Sequence, residues 1–446
     1  MLYSKNWVEK QWPSFSFFDP RLHKRAVSIA LAMLKQPSVS IPERFLLQKE
    51  VKSCYRFFDN QEINHHMLQR QHYENVLTEA TAATGRILFI QDGSELLYNN
   101  LKWTDLGPTA DSSGNGIMFH SCLAVKFQDD QPQIIGLTGQ KAWIREKKED
   151  GADPKAQEER ESQVWQEMID QIGPVPKNCR WITVGDRGAD IFSYVESLPS
   201  GWDCVIRAKH DRKILANGEI HSLKKYMRGL PAMEMTTHFL RARKGPSREV
   251  TLKISWAEVE MLPPKADKEK RSIRGSYVRA WCEEEDIEWI LFTRSPIASY
   301  KEALEIVTIY KHRWLIEEYH KCLKTGCQIE KIQFRTADRI LALFGMLGVI
   351  ATQLLQLKSI SRINPDEPAE KYVDKVSLLI LQDIYELKTP WTVKEYWRRV
   401  AMLVGFMGRK SDGSPGWQKI WKGWIRLRDM CKGVEIGRRL NLEESV

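Results

Sequence analysis

The chain has 446 residues, 42% hydrophobic and 28% charged, with 67 basic against 58 acidic residues and a net charge of +9. That length accommodates two or three domains with substantial cores, and the balance of apolar and charged residues excludes a disordered or fibrous chain. The basic excess favours a polyanionic partner, nucleic acid before a membrane surface, and eight scattered Cys without a CxxC pair fit free thiols in a reducing cytoplasm.

Residues 1–75 read as helical. The polar, aromatic start (MLYSKNWVEKQW) lacks the pattern of a secretion signal. Asp19-Pro20 predicts a helix start, followed by apolar residues at helical spacing. Arg21, Lys24 and Arg25 fall on its first turn, where basic side chains oppose the helix dipole. Phosphate would give them a reason to be there; a solvated surface turn is the plain alternative. A second helical segment follows Pro42 (ERFLLQKEVKSCYRFFDN).

From residue 86 the pattern changes. RILFIQDGSELLY predicts a strand running into Asp92, and GIMFHSCLAVKF and PQIIGLTGQKAWI predict two more, with a hairpin turn at Asp129-Asp130. A charged loop and a helix ending near Ile172 follow. The strand WITV then ends at Gly185-Asp186, a helix begins near Ala189, and DCVIRAKH is a further strand. Three strands, then helix, strand, helix and strand, define a mixed α/β sheet. Residues 211–290 are strand-rich, with two basic loops (RARKGPSR and PPKADKEKRSIRG), and read as interrupting that core. The apolar run ILALFGMLGVIATQLLQL, interrupted by Thr352 and Gln353, reads as a buried core helix and not as a membrane span. SRINPDEPAEKY marks a boundary before a helical, Trp-rich end, in which Trp417, Trp421 and Trp424 form a helical stripe better suited to a core than to an interface. The expected domains are 1–75, 76–365 and 366–446.

One stretch organises the chemistry. Drawn as a single helix, YKHRWLIEEYHKCLK (310–324) puts Tyr310, Arg313, Glu317, Lys321 and Lys324 within an arc of roughly 80°. Leu315, Ile316, Tyr319 and Leu323 fall opposite. A lone carboxylate ringed by three cations and a phenol is either an ordinary solvated face or a site. Asp92 and Asp186, each at the end of an apolar strand and beside a Gly, supply partners for Glu317. Carboxylates gathered together raise one another's pKa, and hard divalent cations relieve the conflict. Three such groups could hold two ions about 3.5–4 Å apart for in-line phosphoryl transfer. A phosphate loop of the GxxxxGK[ST] kind is missing from the sequence, so ATP-driven chemistry has no support. Cys322 and Cys327 with His312 and His320 match no standard zinc spacing.

Tyr310-x2-Arg313-x3-Glu317-x6-Lys324 resembles the Tyr-Arg-Glu-Lys signature of the IS-four group of bacterial insertion-sequence transposases, and its context looks very like that of the group's transposon-five member. DRGADI (186–191) resembles the second-Asp motif of that family, and Asp92 matches the first. YRFFDN (55–60), RAKH (207–210) and GFMGRKSDGSPGWQKIWKGW (405–424) extend the likeness along the chain. Gly188 and Gly93-Ser94 depart from it. The resemblance implies an RNase H-like catalytic core, interrupted by a strand-rich insertion and flanked by helical N- and C-terminal domains. It implies Asp92, Asp186 and Glu317 as catalytic and metal-ligating residues for Mg²⁺, with Mn²⁺ as substitute. Tyr310, Arg313, Lys321 and Lys324 would then hold DNA phosphates, Trp289 would stack on a flipped base, and Arg207 and Lys209 would contact DNA. The implied activity is cut-and-paste transposition in the bacterial cytoplasm by a homodimer pairing two DNA ends: nicking, hairpin formation and resolution, then strand transfer. A nuclease of the same fold without strand transfer, and a non-catalytic DNA-binding inhibitor, are the alternatives.

Overall fold

The computed structural model describes residues 5–440 except 46, 102–104, 111–113, 129–130, 147–153, 241–247, 266–268, 364, 388–389 and 410–411. The turn expected at Asp129-Asp130 and most of the basic loop RARKGPSR lie outside the described residues. The chain falls into two compact units. One comprises residues 1–75, 96–117 and 318–446; the other comprises 76–95 and 118–317.

The second unit holds most of a large mixed sheet; residues 96–97, 107–108 and 115–117 of its strands belong to the first. Its strands are β1 (Gly85–Leu97), β2 (Gly107–Pro108), β3 (Asn115–Gln128), β4 (Gln131–Trp143), β5 (Cys179–Gly185), β6 (Trp202–Arg207), β7 (Lys213–Ala216), β8 (Glu219–Ser222), β9 (Glu234–Leu240), β10 (Arg248–Met261), β11 (Ile273–Cys282) and β12 (Ile287–Thr293). The order is β3-β1-β5-β6-β12-β11-β10-β7-β8; β4 pairs with β3, β9 with β10, and the two-residue β2 with the start of β3. β1, β5 and β6 run parallel, whereas β12 joins β6 antiparallel. The segment β4-β3-β1-β5-β6, with a hairpin on one side of β1 and parallel strands on the other, is consistent with an RNase H-like core. The expected mixed α/β sheet is thus present, and residues 211–290 do form strands, which extend the same sheet through β12.

Parallel strands buried on both faces need apolar residues at successive positions. β1 has Ile87, Leu88, Phe89 and Ile90 fully buried, and β5 has Trp181, Ile182 and Val184. The helix Pro154–Ile172 contributes Val164, Trp165, Met168, Ile169 and Ile172 to the core that also holds Phe89, Trp181 and Trp202. The helix Tyr300–Lys311 starts at a capping box between Ser299 and Glu302. Its Glu305 is held by Arg86 at 2.5 Å and Arg180 at 2.9 Å, which ties it to the first residues of β1 and β5.

The other unit is helical. Asp19 caps the helix Pro20–Lys35 as expected, accepting a hydrogen bond from the Arg21 N–H. The segment after Pro42 is two helices, Ile41–Arg44 and Gln48–Phe58. The helix Ala337–Ile363 is long and apolar enough to cross a membrane, yet 89% of its most apolar window is buried inside the chain. Near the end, Trp421 and Trp424 are buried, with the Trp424 ring 5.5 Å from that of Trp397. A Cβ on Gly423 would lie 1.9 Å from the Val400 carbonyl, so this glycine permits the helices Val393–Met402 and Trp417–Arg439 to approach closely.

Candidate active site

Register brings the two Asp residues together. β1 and β5 pair in parallel from Gly85 with Cys179 up to Ile90 with Val184. Two residues beyond that last pair, on both strands, come Asp92 and Asp186. Because side chains alternate faces, equal offsets place both carboxylates on the same side. Asp92 does not end its strand, as the sequence suggested: β1 continues to Leu97. What ends beside it is the ladder to β5. Asp186 does terminate β5, and its carboxylate caps the short 3₁₀ turn Arg187–Ala189 by accepting the Gly188 N–H at 2.7 Å. Two glycines make room for that turn. A Cβ on Gly185 would lie 2.3 Å from that of Ala189, and one on Gly188 would lie 3.0 Å from Asp186 Oδ1.

Glu317 arrives on a different course from the one expected. The stretch 310–324 is not a single helix. One helix ends at Lys311, His312 and Arg313 form a turn, a second helix spans Trp314–Lys321, and a π-turn covers Cys322–Gly326. Across the junction the N–H groups of His312, Arg313, Leu315 and Ile316 each donate to the carbonyl three residues back, which tightens the winding. Tyr310 therefore leaves the solvated face assigned to it. It is buried, with its ring 5.4 Å from that of Trp289 at 65°. Leu315, Ile316, Tyr319 and Leu323 are buried, as the apolar side of the pattern required.

Arg313 is the hinge of the electrostatics. Its Nη1 lies 3.1 Å from Asp92 Oδ2, and its Nη2 donates to Glu317 Oε1. Burial of the Asp92 carboxyl, aided by the charges of Asp186 and Glu317 and opposed by Arg313, pushes its pKa up to about 7. Burial acts to lower the pKa of Arg313, but Asp92, Tyr310 and Glu317 outweigh it and hold the guanidinium above its usual value. Burial likewise raises the Tyr310 phenol, against the pull of Arg207 and Arg313.

The remaining expected residues divide. Arg207, Trp289 and Tyr310 form one cluster: Arg207 hydrogen-bonds the Tyr310 side chain and donates to the Glu288 carbonyl at 2.8 Å. Lys209 is exposed, and its backbone is fixed at both ends, by Asp190 Oδ2 at 2.7 Å and by Lys224 Nζ at 2.9 Å. Lys321 is paired with Glu318 at 3.1 Å, an acid that Lys358 also holds. Lys324 lies in the π-turn. In the helical unit Arg21 and Lys24 are exposed and Arg25 half-buried.

Sequence reasoning missed two supports. Asp190 is buried and binds the Lys209 and His210 N–H groups and the Arg212 guanidinium, so the second acid of DRGAD shapes the loop after β6. Gln91, beside Asp92 but on the opposite face, is buried among His120, Thr183 and Tyr194. A polar residue inside the run ILFIQD was the available signal for it.

Among the described residues, no three His, Cys, Asp or Glu side chains are grouped to hold one ion together. The guanidinium of Arg313 lies instead between Asp92 and Glu317. The donor chemistry nonetheless fits a hard divalent cation. All three groups are carboxylates, and the pKa of Asp92 is raised to about 7 by burial first and by the nearby charges of Asp186 and Glu317 second, a penalty on its charged form that a bound cation would relieve. A cation could take the place that Arg313 fills.

An α/β domain with carboxylates just beyond the last paired residues of two parallel strands, next to an Arg-held helix, defines a candidate phosphoryl-transfer site. Residues 153–354 match the Transposase DDE domain family, and residues 4–63 match the Transposase DNA-binding family. Together the two matches support a DDE-type transposase that binds DNA, and DDE transposase domains use divalent metal ions. A cryo-EM structure of piggyBac transposase in a synaptic complex with hairpin DNA aligns with 95% of this chain and 81% of its own, at 10% identity and a TM-score of 0.37. That likeness is too slight to carry an argument.

Proposed function

We propose that this transposase moves DNA by a cut-and-paste route, with Asp92, Asp186 and Glu317 as its catalytic carboxylates. The observation that carries the reading is the convergence of Asp92, Arg313 and Glu317, with Asp186 at the matching position on the neighbouring strand. Two Mg²⁺ ions held by these carboxylates would supply an activated oxygen nucleophile and neutralise charge on the scissile phosphate. Arg313 would then be released from Asp92 and Glu317 to hold a DNA phosphate, an exchange of one anionic partner for another. Tyr310 and Arg207 orient each other beside it, and Trp289 offers an aromatic face for an unstacked base. Lys209, Lys321 and Lys324 add phosphate contacts. Domains follow the boundaries 1–75 for DNA binding, 76–365 for catalysis with an insertion at 211–290, and 366–446 for pairing two subunits in a homodimer. The protein works in the bacterial cytoplasm.

The test is a gel assay with the full chain, Mg²⁺ and duplexes taken from the DNA that flanks the reading frame. Nicked, hairpin and strand-transfer products are expected. Asp186→Ala and Glu317→Ala should each lose about 100-fold or more of cleavage while keeping DNA affinity within about twofold. Full cleavage by either variant would sink the assignment; cleavage without hairpin or transfer products would reduce the protein to a nuclease.

A further inference from the structure

The segment Ser14–Asp19 alternates its aromatic rings. Phe17 points inward, its ring 5.9 Å from that of His23, while Phe15 is 73% and Phe18 is 96% exposed. A ring as bare as Phe18 gains nothing from folding. Phe18 lines an open groove of about 740 Å³ together with Asp19, Arg21, Leu22, Arg25, Asn60, Gln61 and Glu62. Two guanidinium groups therefore share a groove with an uncovered aromatic ring. Asp19 is committed locally, accepting the Arg21 N–H at 2.8 Å and its Nε at 3.1 and 3.2 Å. Glu62 also lines the groove, in a turn where its own N–H donates to Asn60 Oδ1 at 2.9 Å.

Phosphate recognition accounts for Arg21 and Arg25 but not for the phenyl ring that shares their groove, because a phosphate backbone offers an apolar group nothing to pack on. Base faces do. Nucleic acid is the ligand that presents anionic and flat apolar surfaces a few ångströms apart, which is the charge and shape complement of this groove. We propose that Phe18 makes direct apolar contact with a DNA base, inserting beside it where the duplex is opened or bent, while Arg21 and Arg25 hold the adjoining phosphates. This rests on the DNA-binding reading of the helical unit and adds to it a base contact that is independent of salt.

The experiment uses the full chain and a 2-aminopurine-scanned duplex chosen by the chain itself from a random-sequence pool. Affinity is measured by anisotropy across a salt series. Phe18→Ala should weaken binding about tenfold at every salt concentration, with an unchanged slope of log K against log salt, and should abolish the 2-aminopurine fluorescence increase at one position. Phe18→Trp should restore both. Arg21→Ala or Arg25→Ala should instead reduce the slope by about 0.9. Unchanged affinity in Phe18→Ala overturns the proposal, as does a loss confined to low salt. A Phe18→Ala chain that binds DNA normally but sediments as a smaller species than the parent also overturns it, by showing a second copy on the ring. Failure of the parent chain to bind any duplex would be different: it would sink the DNA-binding reading itself.

Discussion

His120 shows how one side chain is decided by neighbours that a linear reading does not see. Its Nε2 lies 2.9 Å from Gln91 Oε1, while Gln91 Nε2 donates to Thr183 at 3.2 Å and to Tyr194 at 3.1 Å. These four side chains are buried and satisfy one another, so the imidazole stays neutral: burial pulls the pKa of His120 down to about 3. His72, bonded to Gln11 at 2.8 Å, is lowered by burial to about 3 as well. In the unfolded chain both titrate near 6.5. Below that pH the unfolded chain takes up protons that the folded chain refuses. Stability is therefore complete above about pH 6.5 and declines as pH falls towards 3, by about 2 kcal/mol per histidine at pH 5. Urea midpoints measured at pH 7.5 and 5.0 should show this loss, and His72→Gln combined with His120→Gln should shrink it. Asp92 and Asp186 were legible in the sequence because an acid at the end of an apolar run stands out. Gln91 was not, because alternation in a strand sends a polar residue to the solvent side by default, and only partners on β3, β5 and the helix Phe192–Ser197 make the buried side tolerable.

At the scale of the element, the stretch 310–324 is where periodicity misled. A constant 100° step puts five polar residues on one solvated face, but the chain turns at His312–Arg313 and Tyr310 is buried, still close enough to Arg313 to act on its charge. Nothing in YKHRWL breaks a helix by propensity. The tightening is set by what the two helices must reach: Glu305 is fixed near the starts of β1 and β5, and Glu317 near Asp92 through Arg313. The i,i+4 relation of Arg313 to Glu317 survives the break, which is why the core of the signature remained readable. Arg313 is the neutralising charge of the metal-free cluster, and this gives Arg313→Met a two-part outcome. Without the guanidinium, Asp92 faces Asp186 and Glu317 uncompensated, so the metal-free chain should lose about 1–3 kcal/mol, or a few degrees of thermal midpoint. Added Mn²⁺ should then raise the midpoint more in the variant than in the parent, because no side chain competes for the carboxylates. Differential scanning fluorimetry with and without Mn²⁺ measures both parts, and an equal shift in the two proteins would contradict the competition.

For the whole molecule, the sequence separated helical ends from an α/β middle and found the strands of the sheet. It could not see that residues 96–117 and 318–365 group with the two ends and not with the middle, because that grouping depends on contacts between segments remote in sequence. The tryptophan-rich end illustrates the consequence. A Trp stripe on a terminal helix can serve as a core or as a surface for a second subunit, and hydrophobic spacing only favours the core without deciding it. Here Trp421 and Trp424 are buried within one chain, and the Trp417 side chain lies outside the described residues. Lys35 and Gln36 of the helix Pro20–Lys35 meet Glu435 at 3.4 Å and Asp429 at 2.9 Å, so the last helix also joins the first part of the chain. Core and interface differ in how stability depends on concentration, since mass action stabilises only what association buries. Trp424→Ala should cost about 3–5 kcal/mol, the usual loss for a large aromatic removed from a core. The drop in thermal midpoint should be the same across a hundredfold range of protein concentration, and the helical content near the end should fall with it. A penalty that vanished at high concentration would instead mean that this tryptophan holds two chains together.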